Sequence, residues 1–303
     1  MRAIVTGGAG FIGSHLVEAL LARDDEVHAV DNLATGSGDN VAGAAELHEI
    51  DVRDEALGEL FARVRPELVF HLAAQADVGT SVERPAFDAE VNVVGTVRVL
   101  EAARAADARV IFASTGGAIY GECERPAREE NERRPASPYA TSKLAGEEYL
   151  ATWNRLYGTR GVVCRLANVY GPRQLPSLEG GVVAIFLDRL RDGRETEIFG
   201  DGGQTRDFVY VGDVAEAFLA AASADRAGIY NVGTGVATSV LDLHGLCAEA
   251  AGIEQTPRFA LERPGDIRDS VLDPARAERE LSWRAETTLA AGLVRTWEWV
   301  QAA

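Results

Sequence analysis

Tyr139 and Lys143 lie four residues apart in the segment Pro-Tyr-Ala-Thr-Ser-Lys, which is typical of the first turns of a helix. At this spacing both side chains share one helix face, so we expect the phenol and the ammonium to lie close together. The ammonium is predicted to lower the pKa of Tyr139 toward neutrality, which suits a general acid or base. Lys143 is the one lysine in a chain whose other cationic residues are arginines. Because the rigid fork of arginine replaces an ammonium poorly, we interpret the pair as catalytic rather than as an incidental surface pair.

Three glycines spaced G-x-x-G-x-x-G directly follow an apolar strand pattern and open an amphipathic helix. In this context the first glycine permits a tight turn and the second lets a pyrophosphate approach the backbone. The third lets the helix pack closely on the strand, and the helix N-terminus then faces the phosphates. The residues expected to contact a dinucleotide here are Gly7, Gly10, Phe11, Ile12 and Gly13.

Asp31 and Asn32 come at the end of the second apolar strand pattern. A carboxylate at this position accepts hydrogen bonds from the adenosine ribose hydroxyls and repels a 2′-phosphate. No arginine follows immediately to bind such a phosphate, so NAD is favoured over NADP as the cofactor. Asp51 and Val52, at the end of the third strand pattern, are expected beside the adenine. Asp51 is also a candidate helix N-cap, and the two roles are compatible.

The composition excludes several classes of protein. The 303 residues carry a formal net charge of −17, which disfavours nucleic acid as a partner because binding its phosphates needs a basic face. No apolar run approaches the length of about 18 residues that a membrane helix needs, and the N-terminal residues read as a strand rather than as a signal peptide. The cysteines Cys123, Cys164 and Cys247 are far apart, which favours free thiols in a cytoplasmic protein and gives no metal-ligand spacing.

Short β-branched runs alternate with amphipathic helical patterns through the first half of the chain. Strands are predicted over Ala3–Thr6, Val27–Asp31, Leu47–Val52, Leu68–Ala74, Val110–Ser114 and Val162–Ala167, and helices over Phe11–Ala22, Glu55–Val64, Val91–Ala106 and Tyr139–Tyr157. This alternation indicates an α/β fold with a Rossmann-type, doubly wound parallel sheet that helices cover on both faces.

The pattern loosens after Tyr170, where loops rich in Gly, Asp and Arg begin. We therefore predict a cofactor-binding domain over residues 1–170 and a smaller, mixed C-terminal lobe over residues 171–303 that mainly binds the substrate. The two are expected to interleave through segments near residues 206–235. Within these, Phe208–Asp213 and Ile229–Val232 are predicted to be strands that return to the main body.

Several strings, spread over nearly the whole chain, resemble a known family. They are T-G-G-A-G-F-I-G-S, H-L-A-A-Q-A-D-V, Y-A-T-S-K, N-V-Y-G-P-R-Q, G-D-G-G-Q-T-R-D-F-V-Y-V and R-P-G-D. The first and third are typical of the extended short-chain dehydrogenase/reductases as a whole, and the downstream strings resemble the UDP-glucose 4-epimerases within them. The resemblance implies an NAD-dependent enzyme that epimerises a UDP-hexose at its fourth carbon through a 4-keto intermediate, with no metal. It also implies a homodimer formed through the helices around 91–106 and 139–157.

On the cofactor side, the resemblance implies that His71 and the residues after it line the nicotinamide, and that Asn92 stabilises the helix nearby. The residues after His71 in this segment are Leu72, Ala73 and Ala74.

On the substrate side, the resemblance implies a set of binding residues, which are Asn168, Val183, Arg206, Arg263, Asp266 and Ser270. Arg206 and Arg263 would hold the diphosphate, and Asp266 would bind the uridine ribose. Ser270 stands where the epimerases carry a residue that limits the size of the sugar pocket, and its small side chain would leave room for an N-acetyl group. The alternative is that Ser270 is a strand residue that points away from the sugar.

One position departs from the family pattern. The family carries Ser or Thr four residues before the tyrosine of the V-Y-G-like string, whereas this chain has Gly116 there. Either Thr115 or Ser114 must then supply the catalytic hydroxyl, and we favour Thr115. Related 4,6-dehydratases carry an Asp-Glu pair after the Thr, whereas this chain has Gly116 and Gly117, which disfavours dehydration. A UDP-glucuronate epimerase or decarboxylase, or a non-catalytic NAD-sensing protein, would also be compatible with the same scaffold.

Overall fold

The computed structural model describes residues 1–122, 126–176, 181–262 and 267–302. Its strands are β1 (Arg2–Thr6), β2 (Glu26–Asp31), β3 (Glu46–Glu49), β4 (Leu68–His71), β5 (Arg109–Thr115), β6 (Val162–Leu166), β7 (Asn168–Tyr170), β8 (Glu197–Phe199), β9 (Thr205–Arg206), β10 (Phe208–Tyr210), β11 (Gly228–Val232), β12 (Thr238–Ser239), β13 (Arg258–Ala260) and β14 (Asp269–Ser270). Its α-helices are α1 (Phe11–Leu21), α2 (Ala56–Val64), α3 (Val78–Glu83), α4 (Pro85–Ala89), α5 (Gly95–Ala105), α6 (Gly116–Ile119), α7 (Pro138–Tyr157), α8 (Val182–Arg191), α9 (Val211–Ser223), α10 (Val240–Ala251), α11 (Ala275–Leu281) and α12 (Leu289–Ala302).

Seven strands form one parallel sheet in the order β11-β6-β5-β4-β1-β2-β3. Leu16 of α1 and Phe218 of α9 belong to an apolar cluster on one face, and Phe61 of α2 and Val99 of α5 belong to a second cluster on the other. The predicted doubly wound sheet is therefore confirmed. Strands are added in one direction from β1 to β3 and in the opposite direction from β4 onward. Parallel sheets form a crevice at their carboxyl edge where the strand order reverses in this way, here between β1 and β4.

The C-terminal part has its own small sheets and its own core. β7 pairs with β10, β8 with β13, and β9 with both β12 and β14. Phe186 of α8, Leu243 of α10 and Trp297 of α12 meet in a third apolar cluster. A separate core lets this part hold loops over the edge of the main sheet.

The two returning segments behave differently. β11 joins the main sheet beside β6, as predicted. The strand predicted over 208–213 ends at Tyr210 and pairs with β7 outside the main sheet, because α9 begins at Val211. The reason is that Val214 and Phe218 of α9 are apolar and pack against the α1 side of the sheet.

The strands β3 and β4 each end three residues earlier than predicted. After β3, the Asp51 carboxylate accepts the backbone amide of Arg53, which turns the chain. After β4, the Ala73 amide donates to the side-chain hydroxyl of Thr6 on β1 rather than to a backbone carbonyl. In both places a side-chain oxygen satisfies a backbone donor and ends the ladder.

The helix predicted over 91–106 begins earlier, at Pro85, and runs through a π turn over Glu90–Val94 into α5. The buried side chain of Asn92 lies in this turn and bonds with the backbone of Gln75. Such single π turns often occur at functional sites. Among the described residues, no helix is both long and apolar enough to cross a bilayer.

Candidate active site

The turn between β1 and α1 fits a pyrophosphate. Gly7 has φ +72°, and a Cβ atom there would lie 2.8 Å from the Ala73 nitrogen. A Cβ atom at Gly13 would lie 2.0 Å from the Gly7 carbonyl oxygen, so only glycine permits this packing. Gly10 is the N-cap of α1 without a side-chain cap, and the first turn, which contains Phe11 and Ile12, has no acidic residue. The first-turn amides are thus suited to bind an anion.

Asp31 lies at the carboxyl end of β2, where it borders the same turn. One carboxylate oxygen accepts the Ala9 amide at 3.0 Å, and the other accepts the Leu33 amide at 2.9 Å. Each oxygen keeps a further lone pair for a ribose hydroxyl. The carboxylate is therefore both held in place and able to bind the diol of NAD, which supports the predicted cofactor.

Asp51 binds its neighbours rather than capping a helix. Arg53 donates to its carboxylate at 2.8 and 2.7 Å, and this guanidinium holds the pKa of Asp51 well below its usual range. Asp51 also accepts a bond of 2.8 Å from the exposed amide of Asn32, while Val52 is buried. The N-cap of α2 is Glu55, so the alternative that Asp51 caps this helix is wrong.

The segment after β4 lies against the glycine turn. The backbone of Leu72 and Ala73 comes within 3.0 Å of a Cβ atom placed on Gly7, and Ala74 follows directly. Asn92 fixes this segment, because its side chain bonds with both the amide and the carbonyl of Gln75 at 2.8 Å. The structure thus brings together the residues predicted to surround the cofactor.

His71 ends β4 as a neutral, buried side chain. Its ring nitrogens contact the hydroxyls of Thr6 at 2.7 Å and Thr96 at 2.9 Å. Burial, together with the nearby charge of Lys143, lowers the pKa of His71 to about 3. His71 therefore links β4 to β1 through Thr6 and to α5 through Thr96, and it carries no charge.

Lys143 lies on α7, which begins after Ser137, an N-cap whose hydroxyl accepts the Ala140 amide. The Lys143 side chain is buried, and its Nζ donates to the Ala113 carbonyl at 2.9 Å. Burial lowers the pKa of Lys143 to about 8. The ammonium is thus anchored at the end of β5, close to the carboxyl edge of the sheet.

Tyr139 lies beside Thr115, the last residue of β5, whose hydroxyl influences the pKa of the phenol. Burial, together with the nearby charge of Asp88, raises the pKa of Tyr139 to about 12, and the Thr115 hydroxyl acts in the opposite direction. The prediction that Lys143 lowers this pKa toward neutrality is therefore wrong for this arrangement, because burial dominates and the ammonium is bonded to a backbone carbonyl.

The hydroxyls of Thr115 and Ser114 have different partners. Thr115 contacts Tyr139, whereas Ser114 is buried and donates to Glu147. This geometry supports Thr115 as the hydroxyl beside the base. Ser114 instead belongs to a network of buried polar side chains behind the site.

That network contains residues that sequence reasoning missed. Glu147 and Arg165 form an ion pair with an N–O distance of 2.6 Å, and their side chains are 2% and 1% exposed. Arg165 also donates to the Tyr120 hydroxyl at 2.7 Å, which donates to Asn231 at 2.9 Å. A signal was present, since Glu147 follows Lys143 by four residues on the same helix face.

Two residues expected on the substrate side lie beside Gly117, and a third, Arg206, is on the strand next to one of them. Ser270 donates to the Gly117 carbonyl at 3.2 Å. A Cβ atom at Gly117 would lie 3.5 Å from Oδ1 of Asn168 and 3.9 Å from the Ser270 hydroxyl. Arg206 is paired with Ser270 in the register of β9 and β14, and it donates to the Thr205 carbonyl at 2.8 Å.

The remaining substrate-side predictions have different outcomes. Val183 is 2% exposed and lies in the third apolar cluster. Arg263 and Asp266 lie outside the described residues.

The chain is similar to several proteins of known name. The family model for the NAD dependent epimerase/dehydratase family matches residues 3–233. The UDP-glucose 4-epimerase of Mycolicibacterium smegmatis is 48% identical over 98% of this chain and 98% of its own length. The crystal structure of Thermotoga maritima UDP-glucose 4-epimerase with UDP-glucose has a TM-score of 0.97 at 44% identity, covering 100% of this chain and 99% of that one. The Thermus thermophilus UDP-glucose 4-epimerase complex with NAD has a TM-score of 0.95 at 46% identity, covering 100% of both chains.

The family model spans most of the chain, and the relatives align over nearly their full length. The chain belongs to the NAD dependent epimerase/dehydratase family.

Proposed function

We propose that this protein interconverts UDP-glucose and UDP-galactose by NAD-dependent epimerisation at the sugar's fourth carbon. The observation that carries the proposal is the arrangement of three residues at the carboxyl edge of the sheet. Tyr139 lies beside Thr115 at the end of β5, and Lys143, on the same helix as Tyr139, is anchored on the Ala113 carbonyl. The similarity to UDP-glucose 4-epimerases over the full chain supports the same substrate class.

In the proposed mechanism, Tyr139 removes the proton of the sugar's 4-hydroxyl and Thr115 holds that hydroxyl in place. Lys143, which is anchored on the Ala113 carbonyl, orients the nicotinamide ribose. NAD, when bound, would accept the hydride and give it back. Its positive charge would lower the pKa of Tyr139, against the effect of burial. The 4-keto sugar rotates within the site, so that the hydride is returned to its opposite face, and Tyr139 returns the proton. Positioning and electrostatics supply the catalysis.

The substrate's diphosphate must stay anchored while the keto sugar turns. We assign this anchoring to Arg206 and Arg263, because arginine binds phosphate oxygens in a bidentate manner. Asn168 would contact the phosphates from β7, and Asp266 the uridine ribose. In this proposal residues 1–170, with returning segments near 206–235, bind NAD, and residues 171–303 mainly bind the UDP-sugar.

Competing functions differ in the chemistry that they require. Dehydration needs carboxylates after Thr115, and at Gly116 even a Cβ atom would lie 2.4 Å from Leu272. A UDP-glucuronate epimerase or decarboxylase would act on a carboxylated sugar, and an NAD sensor would turn over no sugar. Incubation of the protein with UDP-glucose should yield UDP-galactose without net NADH. Turnover of UDP-glucuronate alone, or no turnover of any UDP-sugar, would contradict the proposal.

We also propose a homodimer in the cytoplasm. Apolar side chains on α7 are exposed, with Tyr149 at 40%, Leu156 at 66% and Tyr157 at 50%. These lie on one of the two helices that the resemblance implies for the dimer. Analytical ultracentrifugation tests this proposal, and the sedimentation coefficient of a monomer would contradict the homodimer. The free, buried thiols of Cys164 and Cys247 are in keeping with a reducing compartment.

We expect NAD to copurify with the protein and NADP to compete for its site poorly. Asp31 is the reason, since its carboxylate would face and repel the 2′-phosphate. Extraction and chromatography of the bound nucleotide measures this directly. An Asp31→Ser variant should lose much of the preference, whereas Asp24→Ser, which removes an exposed carboxylate before β2, should keep it. Mainly NADP in the wild-type extract would overturn the assignment.

We expect the wild-type protein to accept UDP-N-acetylglucosamine and a Ser270→Tyr variant to reject it. Ser270 faces Gly117 and lies near Asn168, so a bulky side chain there would reduce the space beside the sugar. The ratio of kcat/KM for UDP-N-acetylglucosamine to that for UDP-glucose should fall at least about 10-fold, since a pocket rejects extra bulk by steric contact.

A Ser270→Ala variant serves as the matched control and should retain both activities. If Ser270→Tyr stays folded and leaves the ratio unchanged, Ser270 does not limit the size of the pocket. The same conclusion follows if the wild-type protein does not turn over UDP-N-acetylglucosamine.

A further inference from the structure

Two histidines and a glutamate meet at an edge of the main sheet, away from the residues assigned to catalysis. His28 lies on β2, and Glu46 and His48 lie on β3, the last strand of the sheet. The parallel register pairs His28 with Glu46 and Val30 with His48. Residues 18 and 20 positions apart in the sequence are thereby brought side by side.

The three side chains converge on one point. Nδ1 of His28 lies 3.0 Å from Nε2 of His48. The Glu46 carboxylate lies 3.5 Å from Nδ1 of His28 and 3.7 Å from Nε2 of His48. Zinc–ligand bonds of about 2.0–2.2 Å in a tetrahedron place neighbouring ligand atoms roughly 3.3 Å apart. The observed spacing is therefore close to that of a metal's coordination shell.

We propose that His28, His48 and Glu46 bind one divalent transition-metal ion, preferentially Zn²⁺. Two imidazoles and one carboxylate are ligands that Zn²⁺ accepts, and water would occupy the fourth position. The His28 and His48 side chains are 8% and 9% exposed, so they form a partly shielded base, while Glu46 is 65% exposed and can close over the ion.

A neighbouring carboxylate supports this assignment. The other ring nitrogen of His28, Nε2, lies 3.2 Å from Glu26. When Nε2 donates its proton to Glu26, Nδ1 presents its lone pair toward His48 and Glu46. Histidine ligands of metals commonly have such a carboxylate partner, which fixes the tautomer and the ring orientation.

A bound ion would tie the edge strand β3 to β2. These two strands lead to Asp51 and Asp31, so the ion would stabilise the edge of the sheet that carries the adenosine side of the cofactor site. This role is structural and requires no change in the catalytic mechanism. The proposal does not depend on the identity of the sugar substrate.

The test is a calorimetric titration of chelator-treated, full-length protein with ZnCl₂. We expect one equivalent to bind in the wild type, and His48→Asn or Glu46→Gln to abolish binding at this site. Glu26→Gln should weaken binding by about 10- to 100-fold, because it removes only the partner that orients His28. Glu49→Gln is the matched control, since it removes an exposed carboxylate from the same strand and should bind Zn²⁺ as the wild type does.

Two further measurements keep the outcome decisive. Co²⁺ should give the visible absorption of a tetrahedral site in the wild type and not in His48→Asn. Zn²⁺ should raise the Tm of the wild type and leave that of His48→Asn unchanged, while both retain epimerase activity. If the wild type binds no more Zn²⁺ than His48→Asn, the two imidazoles share a proton rather than a metal, and the proposal is wrong.

Discussion

Under the proposed mechanism, replacing Lys143 with arginine should lower kcat by about 10²- to 10⁴-fold, because the residue that orients the nicotinamide ribose beside the general base would be lost. The substitution preserves the positive charge, yet the site is built for an ammonium. Lys143 is 4% exposed, and its Nζ donates to the Ala113 carbonyl at 2.9 Å. A guanidinium is larger and planar, and it cannot take the same buried position against that carbonyl. Steady-state turnover of UDP-glucose by the two proteins measures the loss.

The control for this variant is its folded state and its bound NAD. Circular dichroism and extraction of the nucleotide should show that Lys143→Arg retains its fold. Arg189→Lys is the matched control, because it makes the reverse exchange on α8, far along the sequence from the assigned catalytic residues. We expect this variant to convert UDP-glucose at the wild-type rate. Turnover of Lys143→Arg within a factor of two or so of the wild type would show that the one lysine has no special role.

Replacing Glu147 with glutamine should lower the free energy of unfolding by about 3–5 kcal/mol, as expected when one partner of a buried ion pair is removed. The Arg165 guanidinium would remain in the core without its counter-charge, with its side chain 1% exposed. Ser114 would also lose the carboxylate that accepts its hydroxyl proton. Urea denaturation of the two proteins measures this difference.

Glu148 offers a matched control on the same helix. Its carboxylate pairs with Arg133 at 2.8 Å, but it is 57% exposed, and exposed pairs contribute only about 0–1 kcal/mol. Glu148→Gln should therefore leave the urea midpoint nearly unchanged. If Glu147→Gln loses no more stability than Glu148→Gln, the buried pair does not hold the fold together as we describe.

The features of the site that could be predicted from the sequence are those set by local spacing. The glycine turn, and the placement of Tyr139 and Lys143 on one helix, each lie within one short segment, so local backbone geometry determines them. Asp31 was predictable for a similar reason, since it ends an apolar run that must be a buried strand. Strand boundaries were less predictable, because a side-chain oxygen of Asp51 or Thr6 ended the ladder.

Other features depend on residues that are distant in the sequence. The pKa of Tyr139 is governed by its burial and by Asp88, which lies on a separate helix. Arg165 reaches Glu147 because α7 packs on β5, the strand beside β6, and His28 reaches His48 only through the pairing of two strands. Spacing along the chain does not predict such contacts. The burial of these side chains and the charges around them are therefore known only from the three-dimensional structure.

The central claim is that Tyr139 and its neighbours reverse the configuration of one carbon without net oxidation. The most direct test supplies UDP-glucose labelled with deuterium at the fourth carbon and examines the product by mass spectrometry and NMR. We predict UDP-galactose that keeps the deuterium at that carbon, with no net NADH, because the hydride leaves and returns within one site. A product that has lost the label, or NADH that accumulates with the keto sugar, would contradict this account.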